Sequence, residues 1–268
     1  MKLAIGVSYC GAGLEGWQSQ PSGNTVQDRL ERALSEIGGE RIALTAAGRT
    51  DAGVHASAQV AHFETNADRP ASAWVRGANS LLPDEIAVQW AVSVPEDFHA
   101  RYSAVSRSYR YVLYNHAVRP ALLAGRVGWF HLPLDLERMR EGAACLVGEH
   151  DFSSFRSAEC QAKSPVRTVE EATIRASGAY LVFDFTANAF LHHMVRNVVG
   201  CLVYVGKGKH PPEWIAELMA ARDRRRAGPT FAPDGLYLFR VAYDARWNVP
   251  TFADNMPFDT RLPACEHG

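Results

Sequence analysis

The chain has 268 residues, of which 47% are hydrophobic and 21% charged, and its formal net charge is −1. Such a composition is ordinary for a globular protein of one large or two moderate domains, and it gives no overall basic signal for nucleic acid. No apolar run is long enough to span a bilayer and no signal-peptide pattern opens the chain, so we expect a cytoplasmic protein without a membrane partner.

The first half is predicted to contain six elements in the order strand, helix, strand, strand, helix, strand. Asn24 or Thr25 can cap the first helix, and Gly38 and Gly39 can end it. Between those ends, apolar residues recur at helical spacing and give one buried face. The predicted strands cover residues 3–9, 42–46, 59–63 and 86–94, and the second helix covers residues 70–81.

The second half repeats this order of elements. Its predicted strands cover residues 108–115, 166–175, 180–186 and 236–243, and its predicted helices cover 135–146, 190–205 and 212–221. The order β-α-β-β-α-β is that of the ferredoxin-like pattern. We therefore predict an α+β protein of two tandem ferredoxin-like domains, residues 1–105 and 106–268, with an extended tail from Ala245.

Charge is distributed unevenly between these halves. Acidic residues outnumber basic ones in residues 1–105, the reverse holds in residues 106–268, and nearly all basic residues are arginine. The planar fork of donors on arginine suits phosphates and base edges. The second half therefore favours a polymeric anion as ligand, although an arginine bias also follows from a GC-rich genome.

Several short patterns suggest other chemistry and are set aside. The run from Gly11 to Gly16 matches G-x-G-x-x-G, but no helix begins inside it, as a dinucleotide site requires. His192 and His193 suggest a metal, but adjacent residues of a helix point about 100° apart, so we predict no metal site. Asp51-Ala52-Gly53 resembles an aspartic-protease triplet, which needs a second carboxylate and an all-β fold. The cysteines are scattered, without a C-x-x-C pair.

The most informative segment is GRTDAGVHA at residues 48–56. Asp51 stands there between small residues, with Arg49 two positions before it. Glycines at 48 and 53 allow a sharp turn and a close approach of the backbone to another group. A short carboxylate in such a turn is accessible to a ligand, although a solvated surface turn has the same pattern.

This segment closely resembles the signature of the TruA-type family of tRNA pseudouridine synthases. The resemblance continues in family order through nearly the whole chain, at residues 16–20, 25–27, 97–101, 106–111, 148–155, 190–200 and 235–238. One departure is Cys10, which follows Tyr9 where the family usually has aspartate. The resemblance implies two ferredoxin-like domains whose antiparallel sheets meet at a central cleft, a homodimer and no cofactor.

The resemblance also implies roles for five residues. Asp51 corresponds to the catalytic aspartate and Arg196 to the arginine that pairs with it. Tyr109 corresponds to a catalytic aromatic residue that stacks on the target base and can take the proton from its C5. Arg49 corresponds to a residue that holds the nucleotide out of the RNA helix, and Leu236 to an apolar wall of the pocket. The implied activity is isomerisation of uridine to pseudouridine in the anticodon stem-loop of tRNA (positions 38–40).

Three questions stay open at the level of sequence. Asp51 can act as a nucleophile or as a base on the sugar. A non-catalytic RNA-binding protein on the same fold is an alternative, because a fold alone does not fix a function. An enzyme that acts on free nucleosides or nucleotides is a third reading, which the arginine-rich second half disfavours.

Overall fold

A computed structural model describes residues 1–251 of the chain. Its first half forms four strands and two helices, with a π-helical turn, Ala73–Gly77, leading into the second helix. The elements are β1 (Lys2–Tyr9), α1 (Val26–Gly38), β2 (Thr45–Ala46), β3 (His55–Glu64), α2 (Ala78–Leu81) and β4 (Ile86–Ser93). The predicted order of elements is therefore confirmed for this half.

The second half forms six strands and three helices within the described residues. They are β5 (Ala104–Asn115), β6 (Gly128–Phe130), α3 (Leu136–Ala144), β7 (Gly148–Asp151), β8 (Val166–Ser177), β9 (Tyr180–Ala187), α4 (Met194–Gly206), α5 (Trp214–Ala221) and β10 (Leu236–Tyr243). β6 and β7 are additions to the predicted set. The proposed domain boundary at residues 105 and 106 falls at the start of β5.

The strands of both halves form one sheet in the order β4-β1-β3-β10-β5-β9-β8-β7, with β2 beside β3 and β6 beside β5. β10 joins the halves: it pairs antiparallel with β5 and parallel with β3, where Tyr237 faces His55 and Leu238 faces Ala56. The α+β class is confirmed, but the two sheets expected from the sequence are continuous. A strand at the edge of a sheet leaves backbone N–H and C=O groups unpaired. Here β3 of the first half and β10 of the second half pair with each other, so neither is left as a free edge along this stretch.

Helix α1 follows directly from its sequence. The Thr25 side chain accepts a hydrogen bond from the Asp28 amide, and Gly39 ends the helix in the left-handed conformation at φ 66°. Both predicted end signals are therefore confirmed. Its buried face, which packs on the sheet, consists of Val26, Leu30, Ala33 and Leu34.

Strand β2 is shorter than predicted because part of its backbone bonds to α1 instead of to a strand. The amide of Ile42 donates to Ser35 Oγ at 2.9 Å, and the amide of Leu44 donates to Glu31 Oε1 at 2.8 Å. The strand ladder with β3 is limited to Thr45 and Ala46. The alternating apolar residues that predicted a strand here, Ile42 and Leu44, are buried where the chain passes α1.

The beginning of the predicted tail is packed rather than extended. Trp247 is buried, and its ring lies 5.5 Å from that of Phe98 in an edge-on contact. The rest of the predicted tail, residues 252–268, lies outside the described residues. In residues 1–251 no helix combines the length and the hydropathy needed to cross a membrane.

One buried ion pair ties the central strands of the second half. Asp184 on β9 accepts hydrogen bonds from Arg110 on β5 at 2.6 and 3.0 Å, and from Arg175 on β8 at 2.6 Å. The side chains of Asp184 and Arg110 are each only 8% exposed. Losing one partner of such a pair leaves the other charge buried without compensation.

We therefore expect Asp184→Asn to lower the free energy of unfolding by about 3–5 kcal/mol. Glu137→Gln removes a carboxylate from the exposed pair with Arg140, and we expect a change of only about 0.5 kcal/mol. Urea denaturation of both variants measures the difference. Equal effects would show that the buried pair adds nothing beyond a surface contact.

Candidate active site

The Asp51 loop connects β2 to β3 and packs against the loop that follows β1. The amide of Trp17 donates to the Thr50 carbonyl at 3.0 Å, and the amide of Gly53 donates to the Leu14 carbonyl at 3.3 Å. The amide of Val54 closes the turn on the Asp51 carbonyl at 3.1 Å. The backbone on both sides of Asp51 is thus fixed by hydrogen bonds.

Glycines 11 and 16 allow these two loops to touch. A Cβ on Gly11 would lie 2.1 Å from the Val54 carbonyl oxygen, and one on Gly16 would lie 2.7 Å from the Thr50 carbonyl oxygen. Gly16 also has a φ of 84°, a conformation that other residues rarely adopt. The G-x-G-x-x-G run therefore serves close packing of backbone on backbone next to Asp51.

Polar side chains from the sheet hold the start of the loop. The Tyr9 hydroxyl and Thr50 Oγ1 are hydrogen-bonded at 2.8 Å, and Gln59 Nε2 donates to the Gly48 carbonyl at 2.8 Å. Burial raises the pKa of Tyr9 to about 12, with the Thr50 and Gln59 hydrogen bonds opposing that rise. Tyr9 is therefore a neutral phenol at physiological pH and acts as a fixed support.

The Asp51 carboxylate meets Arg196 of α4 across the junction of the halves. Arg196 Nη1 lies 2.8 Å from Asp51 Oδ2, and Arg196 Nε donates to the Phe231 carbonyl at 2.8 Å. The second bond fixes the orientation of the guanidinium. Asp51 is 20% exposed and Arg196 14%, so the pair is sheltered but open to a ligand on one side.

Two histidines also face this carboxylate, contrary to the sequence-based prediction. His192 Nε2 lies 3.4 Å from Asp51 Oδ1, and His193 Nε2 lies 3.4 Å from Asp51 Oδ2. The prediction assumed helical geometry from Phe190 onward, but α4 begins at Met194 and His193 has a φ of 61°. This turn places the two rings side by side, with centroids 4.0 Å apart.

The same three side chains place possible metal-ligand atoms within 4.8 Å of one another. Arg196 already donates to one Asp51 oxygen, and its positive charge disfavours a cation at that oxygen. Burial lowers the pKa of His193; the neighbouring His192 and Arg196 act in the same direction, and Asp51 opposes them. The arrangement suits a guanidinium–carboxylate pair with a neutral imidazole beside it better than a metal centre.

Tyr109 lies on β5 and lines the same cavity as Asp51. Its ring packs edge-on against Phe190 with centroids 5.0 Å apart. Its hydroxyl is near Gly48, where an added Cβ would lie 3.9 Å away. Burial, with Tyr9 and Asp51 nearby, raises the pKa of Tyr109 well above its usual range, so the ring is a neutral apolar and hydrogen-bonding surface.

The cavity has a volume of about 1000 Å³ and is lined by both halves of the chain. All five residues singled out from the sequence lie on its wall. Leu236, at the start of β10, is buried, whereas Arg49 is exposed and its guanidinium has no hydrogen-bond partner among residues 1–251. The structure thus brings together Asp51, Tyr109, Arg196, Arg49 and Leu236.

Arg107 is a further residue of the site that the sequence reasoning missed. Its buried guanidinium donates to the carbonyl of Ala47 at 3.0 Å, beside the Asp51 loop, and to that of Asn188 at 3.0 Å, on the second half. It therefore fixes the spacing of the two cavity walls. Arg107 stands within SRSYRY at residues 106–111, one of the segments that resemble the family, and this was the available indication of a role. The role itself could not be predicted, because long-range contacts with carbonyl groups leave no sequence pattern.

Comparison with known proteins shows the family of this chain. The family model described as tRNA pseudouridine synthase matches residues 6–103 and 143–244. The chain belongs to the tRNA pseudouridine synthase family. The matched stretches contain Asp51, Arg196 and Leu236, and Tyr109 lies between them.

Curated relatives match over almost their whole length. A protein named tRNA pseudouridine synthase A from Chromobacterium violaceum is 60% identical over 94% of this chain and 96% of its own. Proteins of the same name from Dechloromonas aromatica and Paraburkholderia phymatum are 58% and 55% identical, over 93% and 97% of this chain and 95% and 97% of theirs. A chain of a Cbf5-Nop10-Gar1 complex aligns with a TM-score of 0.33 and 13% identity, over 75% of this chain and 45% of that one.

Because the two loops are in close contact, we expect alanine to destabilise the protein more at Gly11 than at Gly13. Gly13 has a φ of 82° with open space around it, so we expect Gly13→Ala to cost about 1–2 kcal/mol of stability. Gly11→Ala forces a methyl group into the Val54 carbonyl, and we expect a cost of about 3 kcal/mol or more. Urea denaturation gives both values, and a smaller loss for Gly11→Ala would contradict this packing.

Proposed function

We propose that this protein isomerises uridine to pseudouridine in tRNA. The observation that carries the proposal is the Asp51 carboxylate, held by Arg196 in a cavity that Tyr109 also lines. Membership of the tRNA pseudouridine synthase family and the names of the curated relatives support the same activity. A protein that only binds RNA has no need for a carboxylate positioned in this way.

The reaction breaks the bond between N1 of uracil and C1′ of ribose, turns the base, and joins C5 to C1′, while the proton on C5 is removed and N1 gains a proton. It involves no net oxidation and no lost group, so side chains and bound substrate suffice. Asp51 can attack C1′ as a nucleophile or take a proton from the sugar as a base, and both roles need an ionised carboxylate. Arg196 stabilises that negative charge.

The cavity suits a nucleotide that has left the RNA stack. Flipping a base out of a helix costs a few kcal/mol, and stacking on an aromatic ring returns roughly 1–3 kcal/mol. We assign that contact to Tyr109 and the apolar wall to Leu236. Arg49 is free to enter the space that the flipped base leaves or to bind a phosphate.

The proposal extends to the arrangement of the chain and to its substrate. The strand orders β4-β1-β3-β2 and β10-β5-β9-β8 support two ferredoxin-like units, residues 1–105 and 106–268. From the family resemblance we propose uridines of the anticodon stem-loop (positions 38–40) as targets, a homodimer, and a cytoplasmic location. Light scattering tests the dimer, and a monomer at working concentrations would contradict it.

We expect Asp51→Asn to lower the rate of pseudouridine formation by roughly 10³-fold or more, because the amide can neither attack C1′ nor take a proton. Affinity for tRNA should stay unchanged. Asp68→Asn, at an exposed position away from the cavity, is the matched control and should keep full activity. Conversion is measured in unmodified tRNA transcripts, and affinity by filter binding.

The other possible results of this experiment distinguish the alternative functions. Substantial turnover by Asp51→Asn would remove Asp51 from the mechanism. A wild-type protein that binds tRNA and leaves every uridine unchanged would favour the non-catalytic RNA-binding alternative. Conversion of free uridine at a rate comparable to that of tRNA would favour the reading as a nucleoside enzyme.

The exposed guanidinium of Arg49 predicts a salt-dependent contribution to binding. If Arg49 contacts a phosphate, Arg49→Ala weakens tRNA binding and reduces the slope of log affinity against log salt by about 1. Arg69→Ala, at an exposed position outside the cavity, should leave the slope unchanged. An unaltered slope for Arg49→Ala would show that this side chain meets no phosphate.

A further inference from the structure

Tyr102 is the most exposed tryptophan, tyrosine or phenylalanine among residues 1–251, with 77% of its surface accessible. It stands in the connection between β4 and β5, at the point where the chain passes from the first half to the second. The isomerisation chemistry described above does not use it. A single exposed aromatic ring indicates a binding role only if the protein holds it in a fixed place.

The turn that carries Tyr102 is held by several hydrogen bonds. His99 Nδ1 accepts the amide of Arg101 at 3.2 Å and that of Tyr102 at 3.3 Å. The amide of Ser103 donates to the His99 carbonyl at 2.8 Å, and the amide of His99 donates to Ser103 Oγ at 3.0 Å. These four bonds define the backbone on both sides of the ring.

The imidazole of His99 also contacts the Tyr102 ring, with centroids 4.3 Å apart and planes at 31°. Burial lowers the pKa of His99, and Lys2 and Arg101 act in the same direction. The neutral form keeps Nδ1 available as an acceptor for the two amides. Tyr102 therefore rests on a rigid support while most of its surface remains in solvent.

This support is anchored in a core cluster to which both halves contribute. Phe98 is fully buried between Tyr243 and Trp247, with ring centroids at 5.3 and 5.5 Å. The amide of Ala100 donates to His62 Nδ1 at 3.1 Å. These contacts hold the turn that carries Tyr102 against the sheet.

Arg101 connects this turn to the candidate active site. Its side chain lines the cavity that holds Asp51, and its Cζ lies 5.8 Å from the centre of the Tyr102 ring. Arg107 donates to the Arg101 carbonyl and also to the Ala47 carbonyl at the start of the Asp51 loop. Tyr102 therefore stands at the rim of the cavity, one residue from its wall.

We propose that Tyr102 is a stacking platform for the base of an unpaired RNA nucleotide that adjoins the target uridine, with Arg101 contacting the backbone between the two. The proposal rests on the function proposed above. An aromatic face next to a guanidinium is the combination that binds single-stranded nucleic acid without strict sequence preference. The guanidinium of Arg101 puts positive charge beside the ring, which favours a polyanion, whereas the charge of Lys2 is paired with Glu64.

The apolar area here is small for a protein partner. Tyr102 and the nearby Val105, which is 58% exposed, offer far less surface than the roughly 800 Å² that each partner of a stable complex buries. Self-association through Tyr102 is nevertheless a distinct outcome of the experiment below.

The experiment compares Tyr102→Ala, Tyr102→Phe and Leu122→Ala. Leu122 is 99% exposed and outside the cavity, so its variant controls for loss of a surface apolar side chain. We expect Tyr102→Ala to raise the Kd for unmodified tRNA and the KM by about 5- to 150-fold, with kcat at saturation unchanged. Tyr102→Phe and Leu122→Ala should behave as the wild type.

A fluorescent base gives a readout that a merely structural role would not change. With 2-aminopurine next to the target uridine, the wild type and Tyr102→Phe should quench its emission on binding, and Tyr102→Ala should not. Unchanged Kd, KM and quenching in Tyr102→Ala, with normal conversion by the wild type, would overturn this proposal alone. A change of oligomeric state in Tyr102→Ala would overturn it in favour of a protein interface. A wild type without any conversion would instead overturn the proposed function.

Discussion

An ion pair between Asp51 and Arg196 connects the two halves of the chain at the centre of the cavity. Each partner is held from its own side: backbone bonds from the loop after β1 fix Asp51, and the Phe231 carbonyl fixes the Arg196 guanidinium. The charges meet at 2.8 Å only because β10 brings β3 and β5 into one sheet. Neither half alone supplies both partners of this pair, and the site exists only in the assembled chain.

Several features of the fold hold the two halves in a fixed position at this junction. Arg107 spans it with bonds to carbonyl groups of both halves, and its burial excludes water from the contact. Gly11 and Gly16 allow backbone to lie directly against backbone behind Asp51. The tyrosines around the carboxylate stay neutral because burial raises the pKa of both Tyr9 and Tyr109. The two tyrosines therefore add no charge of their own next to Asp51 and Arg196.

Local signals in the sequence predicted local structure well. Thr25 and Gly39 define the ends of α1, and β10 has the predicted bounds, because caps and strand patterns depend on neighbouring residues. Features that depend on contacts between distant parts of the chain could not be predicted from the sequence. The β3–β10 pairing depends on strands far apart in the chain, and the left-handed turn at His193 breaks the helical geometry from which its direction was inferred. The five candidate site residues came from a resemblance to a family, and the fold explains why they lie together.

In the proposed mechanism, a flipped uridine lies between the two halves with its ribose against Asp51. A crystal structure of the Asp51→Asn variant with an unmodified anticodon-arm RNA tests it most directly. We expect C1′ of one uridine about 3–3.5 Å from the substituted side chain, with the uracil against Tyr109. An RNA bound elsewhere, or bound at the cavity with every uridine still stacked in its helix, would contradict it.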